Sequence, residues 1–137
     1  MQLYASPYRP LPGSSVNELM KLARHEFHII QKRTPRRQAH IRSHYFTRDK
    51  VFINQFWEHI NQKSRRDRIR RLCLYTCAID LIRNTTLTPE TVQNPNNPNE
   101  SLHRFAGKTT NGTVFYVQIK ENKKNNRKDF MSVFPAK

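Results

Sequence analysis

The sequence holds only three glycines in 137 residues. A phosphate-cradling loop of the P-loop or Rossmann type needs several close together, so neither is present, and no cofactor is expected. The two cysteines, Cys73 and Cys77, are too few for a disulfide framework. No apolar run approaches the roughly 18 residues that a membrane-spanning helix needs. The N-terminal region lacks the apolar core of a signal peptide, which makes a cytoplasmic protein with no membrane partner the expectation. Acids are scarce as well: 10 Asp and Glu stand against 25 Lys and Arg, a formal charge of +15. Such an excess costs self-repulsion, and a polyanionic partner offsets it. The length suits a single domain, residues 1–137.

The charge is unevenly placed. Residues 32–83 hold 14 Lys and Arg against four acids, a net +10, whereas residues 1–31 carry +1 and residues 84–137 carry +4. A disordered basic tail would be poor in aromatics. This segment instead contains Tyr45, Phe46, Phe52, Phe56, Trp57 and Tyr75, so the charge lies on something that folds. A basic, aromatic-bearing folded surface suits nucleic acid better than a lipid surface, which would favour one long amphipathic helix.

Residues 1–13, with Pro7, Pro10, Pro12 and Gly13, read as an irregular leader. Ser15-Val-Asn-Glu18 fits a capping box, and Leu19, Leu22, Ala23, Phe27 and Ile30 follow at helical spacing, which predicts a helix over 15–31. Thr34-Pro35 ends it. Thr47 before Val51, Phe52, Phe56, Trp57 and Ile60 predicts a second helix over 48–62. Ser64 caps a third, carrying Ile69, Leu72, Cys73, Ala78, Ile79 and Ile82, with a break near Tyr75–Thr76. Residues 15–83 are thus read as mainly helical and basic, and residues 84–100, rich in Asn, Thr and Pro, as a loop. Then the period changes to two. Leu102–Gly107, Thr113–Glu121 and Asp129–Phe134 read as strands, with Asn111-Gly112 as a hairpin turn. The expected fold is α+β, with N-terminal helices packed on a C-terminal antiparallel sheet over 101–135.

Alternation places Phe115, Val117 and Ile119 on one face of that sheet, joined by Met131 and Val133. Tyr116, Gln118 and Lys120 lie on the other. Simple hairpin pairing sets Arg104 near Tyr116 and Gln118 near Ser132, so one face presents cationic, amide, hydroxyl and aromatic groups. The bland account is an ordinary solvated face; the functional one is a phosphate-binding platform. Cleaving RNA without a metal needs a base for the 2′-OH, an acid for the leaving oxygen and a cation for the phosphorane-like charge. His40 and His44, four residues apart, with Arg104 and Lys120, are candidates for these roles. The two histidines are not followed as a zinc motif requires, and no metal site is assigned. His25, His28 and His59 are read as structural, and His103 as packing opposite Arg104. Cys73 and Cys77 are read as core residues. Six basic residues flank Asp67 between Lys63 and Arg71, namely Lys63, Arg65, Arg66, Arg68, Arg70 and Arg71. With Arg36, Arg37 and Arg42, and with Tyr116 and Gln118 on the sheet, they are candidate RNA contacts. One of Arg70 and Arg71 points inward.

The segments His103–Gly107, Asn111–Glu121 and Lys128–Pro135, preceded by Arg70–Arg83, resemble the BECR nucleases, the Barnase–EndoU–colicin–RelE-like fold of phage-associated and toxin ribonucleases. The resemblance covers residues 36–135. It implies helices on an antiparallel sheet and metal-independent cleavage of RNA by 2′-OH attack. Its catalytic groups fall on His40 or His44, Arg104, Lys120 and Ser132. The chain departs from barnase in having no Glu base at a matching strand position; Glu121 is nearest and faces away from Lys120. An acidic antitoxin or immunity protein is the partner this reading implies. The remaining alternatives are a non-catalytic nucleic-acid-binding module and an assembly protein that docks on an acidic partner.

Overall fold

The computed structural model describes residues 2–34, 36 and 38–136. In chain order the elements are β1 (Tyr4–Ala5), α1 (Val16–Arg33), β2 (His40–Ser43), β3 (Asp49–Phe52), α2 (Gln55–Ile60) and α3 (Arg65–Leu72). There follow α4 (Tyr75–Asn84), β4 (Glu90–Gln93), β5 (Glu100–Lys108), β6 (Val114–Asn122) and β7 (Lys128–Pro135). The class is α+β, as expected, but the division into helices first and sheet last is too simple. Strands precede and separate the helices, and the sheet is mixed. Its order is β1-β5-β6-β7-β3-β2, with β4 also on β5. β1 runs parallel to β5, and β3 runs parallel to β7.

The helices begin where side-chain oxygens meet free amides. Ser15 Oγ accepts from the Glu18 amide at α1, and Ser64 Oγ accepts from the Asp67 amide at α3. Leu19, Ala23, Phe27 and Ile30 form the buried stripe of α1. The third helix expected from Ser64 is two, α3 and α4, with the break at Cys73–Leu74. α4 buries Tyr75, Cys77, Ala78, Ile79, Leu81 and Ile82.

Asp49–Phe52 is strand rather than the start of a helix. Val51 and Ile53 are fully buried at every second position, opposite buried Ile41 on β2. The β2–β3 hairpin turns at His44–Arg48, where Thr47 and Arg48 take φ of 55° and 71°. That conformation ordinarily favours Gly or Asn, so the turn carries no sequence signal. The helical stripe is confined to Phe56, Trp57 and Ile60 of α2. The leader contributes β1, and the 84–100 loop contains β4, both added to β5.

β5, β6 and β7 form the antiparallel centre. Phe115, Val117, Ile119, Phe130 and Val133 are buried on the inner face. Gly107 lies there too, and a Cβ on it would meet Phe115 at 2.7 Å and Leu81 at 2.9 Å. Arg104 pairs with Gln118 rather than Tyr116. This two-residue difference in register keeps every side chain on its expected face. Between β6 and β7 the register shifts: Gln118 pairs with Ser132, but Ile119 pairs with Phe130. Met131 is the inserted residue of this bulge, and it leaves the apolar face where simple alternation puts it.

A chain of polar contacts ties the strands together on the inner side. His103 is buried, with Nδ1 2.8 Å from Thr91 Oγ1 of β4 and Nε2 2.8 Å from Glu121 Oε1 of β6. The Lys128 ammonium, also buried, lies 3.4 Å from Glu121 Oε2 and 2.9 Å from Asp49 Oδ2 of β3. Replacing Glu121 with Leu strands Lys128 on one half-exposed carboxylate; a loss of about 2–3 kcal/mol in urea denaturation is expected. Gly107→Ala is expected to lower stability by about 1–3 kcal/mol through overpacking, read as a fall in Tm.

Candidate active site

A cleft of about 320 Å³ opens on the outer face of the central strands. Its floor is the cross-strand row Arg104, Gln118 and Ser132, one residue from each of β5, β6 and β7. Neighbours in such a row stand about 5 Å apart. α2 and α3 form the wall, contributing His59, Arg71 and, from the turn between them, Lys63. The bulge sets Met131 beside Ser132 at the edge of this floor.

Of the pair Arg70 and Arg71, Arg71 points inward. Its Nη1 donates to Ser132 Oγ at 2.5 Å, while Asp67 Oδ2 lies 3.2 Å from Nε as an ion-pair partner. The geometry of that ion pair falls short of a hydrogen bond, so the buried Nε–H has no acceptor among the described residues. The Arg71 guanidinium sits 5.3 Å from the centre of the Phe134 ring. The Arg104 guanidinium lies at the same distance from Phe134 and 5.6 Å from Tyr116. Two cations thus share one aromatic ring, an arrangement that fixes both guanidinium planes by cation–π attraction. Among the described residues no carboxylate lines the cleft itself. An entering phosphate would meet two fixed guanidiniums and the Ser132 hydroxyl.

Arg104, Gln118 and Ser132 are thus brought together as the alternation indicated, with Tyr116 beneath Arg104. The other candidate catalytic residues are elsewhere. Lys120 lies beyond the bulge, opposite Asp129 and 3.8 Å from Glu100. His40 is on β2, paired with Phe52 and with Nδ1 3.1 Å from the Gln38 carbonyl oxygen. His44 is exposed in the β2–β3 turn. The i,i+4 spacing of these histidines is not helical spacing here, and neither lines the cleft. The histidine that does is His59, expected to be structural because it adjoins Trp57. Its signal was the four-residue step to Lys63, off the Phe56–Trp57–Ile60 stripe.

Among the expected RNA contacts, Arg36, Arg42, Arg65, Arg66 and Arg70 are exposed, and Arg37 lies outside the described residues. Arg68 is committed to structure: it donates to the Lys63 and Asn61 carbonyls and closes the α2–α3 turn. His25 and His28 lie on the exposed side of α1 rather than near its core stripe. No three His, Cys, Asp or Glu side chains gather as a metal-binding group among the described residues.

The groups with displaced pKa lie away from the cleft. Burial pushes both thiols up, so Cys73 and Cys77 stay protonated and are poor nucleophiles. Burial also raises Tyr75, and burial with the adjacent Asp80 carboxylate raises Tyr4. Glu26 is raised above its ordinary 4.5 by burial against α4, although the Thr76 hydroxyl donates to it at 2.6 Å.

Comparison with protein-family models, curated proteins and solved structures finds no match to this chain. The fold and cleft therefore rest on their own geometry.

A raised folded-state pKa makes Glu26 favourable to folding below its unfolded pKa, a contribution lost as pH rises through the folded value. Glu26→Gln, which can still accept from Thr76, is therefore expected to raise Tm at neutral pH. The gain should disappear below pH 4.5, where the wild-type carboxyl is protonated in both states.

Proposed function

We propose that the chain is a metal-independent endoribonuclease of the toxin or phage-defence kind, with the Arg71–Arg104–Ser132 cleft as its cutting site. The observation that carries this reading is the convergence of two guanidiniums on Phe134, one of them bonded to Ser132, in a cleft that His59 also lines. Histidine is the side-chain type suited to passing protons near neutral pH. In this mechanism His59 takes the 2′-OH proton, and O2′ attacks the adjacent phosphorus. The P–O5′ bond breaks, water donates the proton that makes the leaving oxygen a 5′-OH, His59 returns its proton to the solvent, and a 2′,3′-cyclic phosphate remains. Arg71 and Arg104 stabilise the charge that builds on the non-bridging oxygens. Ser132 orients Arg71 and the phosphate, and Gln118 offers an amide to a base or sugar. The exposed Arg65, Arg66 and Arg70 gather the phosphate backbone.

His59 takes the place of His40 and His44 in this proposal, and Lys120 becomes a flanking cation. An acidic inhibitor of the antitoxin or immunity type would complement the +15 charge. The second reading, a non-catalytic RNA-binding module, is favoured by the same exposed arginines on α3 and needs no histidine.

RNA incubated with the protein in EDTA should yield cyclic-phosphate ends. His59→Ala should slow cleavage by about 10²–10⁴-fold, with His44→Ala unaffected. Full activity in His59→Ala, or loss of wild-type cleavage in EDTA, would overturn this mechanism. Salt-sensitive binding with no cleavage from about pH 5 to 9, the range in which histidine titrates, would establish the binding module instead.

A further inference from the structure

A second basic depression lies at the β2 edge of the sheet. It holds about 340 Å³, and Arg33, Arg42, Arg48 and Arg83 converge there with His40 and Asn84. No carboxylate lines it, and none of the four guanidiniums forms an ion pair among the described residues. Arg33 and Arg83 sit in the last turns of α1 and α4, where positive charge offsets the negative helix end. That account does not reach Arg42 and Arg48, which belong to the hairpin.

Arg48 is held there by a strained backbone. Its φ is 71°, after Thr47 at 55°. Each such residue costs on the order of 1 kcal/mol, and Gly or Asn would make the same turn more cheaply. The bend is pinned by the Arg48 amide donating to the Ser43 carbonyl at 2.8 Å and by Arg42 Nη1 donating to the Arg48 carbonyl at 3.1 Å. Strain that persists for an arginine at this position calls for a use of its side chain.

The depression shares Arg42 with a second groove, on the side of the sheet toward the cleft. Arg42 also borders an adjoining groove of about 460 Å³ with Lys50, Phe52, Arg127 and one carboxylate, Asp49, which is paired with Lys128, and Arg127 stacks 4.1 Å from the Phe52 ring. Phe52 pairs with Asp129, and Asp129 pairs with Lys120. That row lies two residues along β6 from the cleft's own row of Ser132, Gln118 and Arg104, a step of about 7 Å. All of these positions fall on the outer face of one sheet.

We infer that the Arg33–Arg42–Arg48–Arg83 groove is a second phosphate-binding site, which holds the backbone of a single-stranded RNA whose other end lies in the cleft. The inference rests on the ribonuclease reading of the cleft. An acidic protein is the weaker fit, because protein interfaces centre on an apolar patch that becomes buried. The apolar members of this groove, Ile30 and Ile41, are already 3% and 4% exposed.

The test uses an uncleavable 2′-O-methyl RNA of about 20 nucleotides and the double variant Arg33→Gln, Arg48→Asn. Losing two phosphate contacts should flatten the log–log salt dependence of binding by about 1.4 units. Asn tolerates a positive φ, so Tm should not fall through position 48. Cleavage of a dinucleotide, which fills the cleft alone, should be unchanged. An unchanged slope in a folded double variant overturns the groove. Tighter binding of poly-glutamate than of RNA, lost in the double variant, also overturns it, in favour of an acidic protein. The slope is read without catalysis: a flattened slope with no cleavage of any RNA supports the groove and removes only the ribonuclease reading.

Discussion

A buried ammonium holds the two parts of the sheet in register. Lys128 is 2% exposed, and a cation so far from water is tolerable only with charge beside it. Glu121 and Asp49 supply that charge from different directions, one from the antiparallel centre and one from the β2–β3 hairpin. The backbone pairing between β3 and β7 is a single register pair, Phe52 with Asp129, too little to fix the hairpin by itself. Because Lys128 points inward, its neighbours Arg127 and Asp129 point outward, where they pair with each other. From there alternation and one bulge carry the order of side chains to Ser132.

The basic segment that dominates the composition turns out to serve two sides of the molecule. Its α3 half faces the cleft and the solvent above it. Its hairpin half forms the edge groove with the ends of α1 and α4. Few acids interrupt either surface, and the acids present are spent on fixing cations: Asp67 on Arg71, Asp129 on Arg127, Glu100 on Lys120. A field of one sign over a continuous face would draw a polyanion in from several directions, and it is screened within about 10 Å at ordinary salt.

What could be read from the sequence was what is local. The Ser15 and Ser64 caps, the buried stripe of α1, the Asn111-Gly112 turn and the two-residue period of β5 to β7 all announce themselves within a few residues. The face bearing Arg104, Gln118 and Ser132 followed from that period. The β2–β3 hairpin did not, since Thr47 and Arg48 adopt a glycine-like backbone without glycine, and Val51 and Phe52 fit a helical stripe begun by Phe56. β1 and β4 are short strands in proline-rich surroundings, recruited by β5. The parallel partner of β3 lies far along the chain. The place of His59 at the cleft was hidden for a related reason: which side of a short helix meets the sheet is decided by packing, and the stripe beside Trp57 masked it.

The position of β7 has a consequence for how the molecule is made. It follows every other strand in the chain, yet it lies between β6 and β3. The Lys128–Asp49 contact joins residues 79 apart. Until that strand arrives, the hairpin has an open edge, the cleft lacks Ser132 and Phe134, and Arg71 has nothing to lean on. Closure over such a span is slow compared with helix formation. During vectorial synthesis the chain would therefore pass through a long interval in which its helices are folded and its cleft does not exist. The order of the strands acts as a timer, withholding the assembled cleft until β7 has been made.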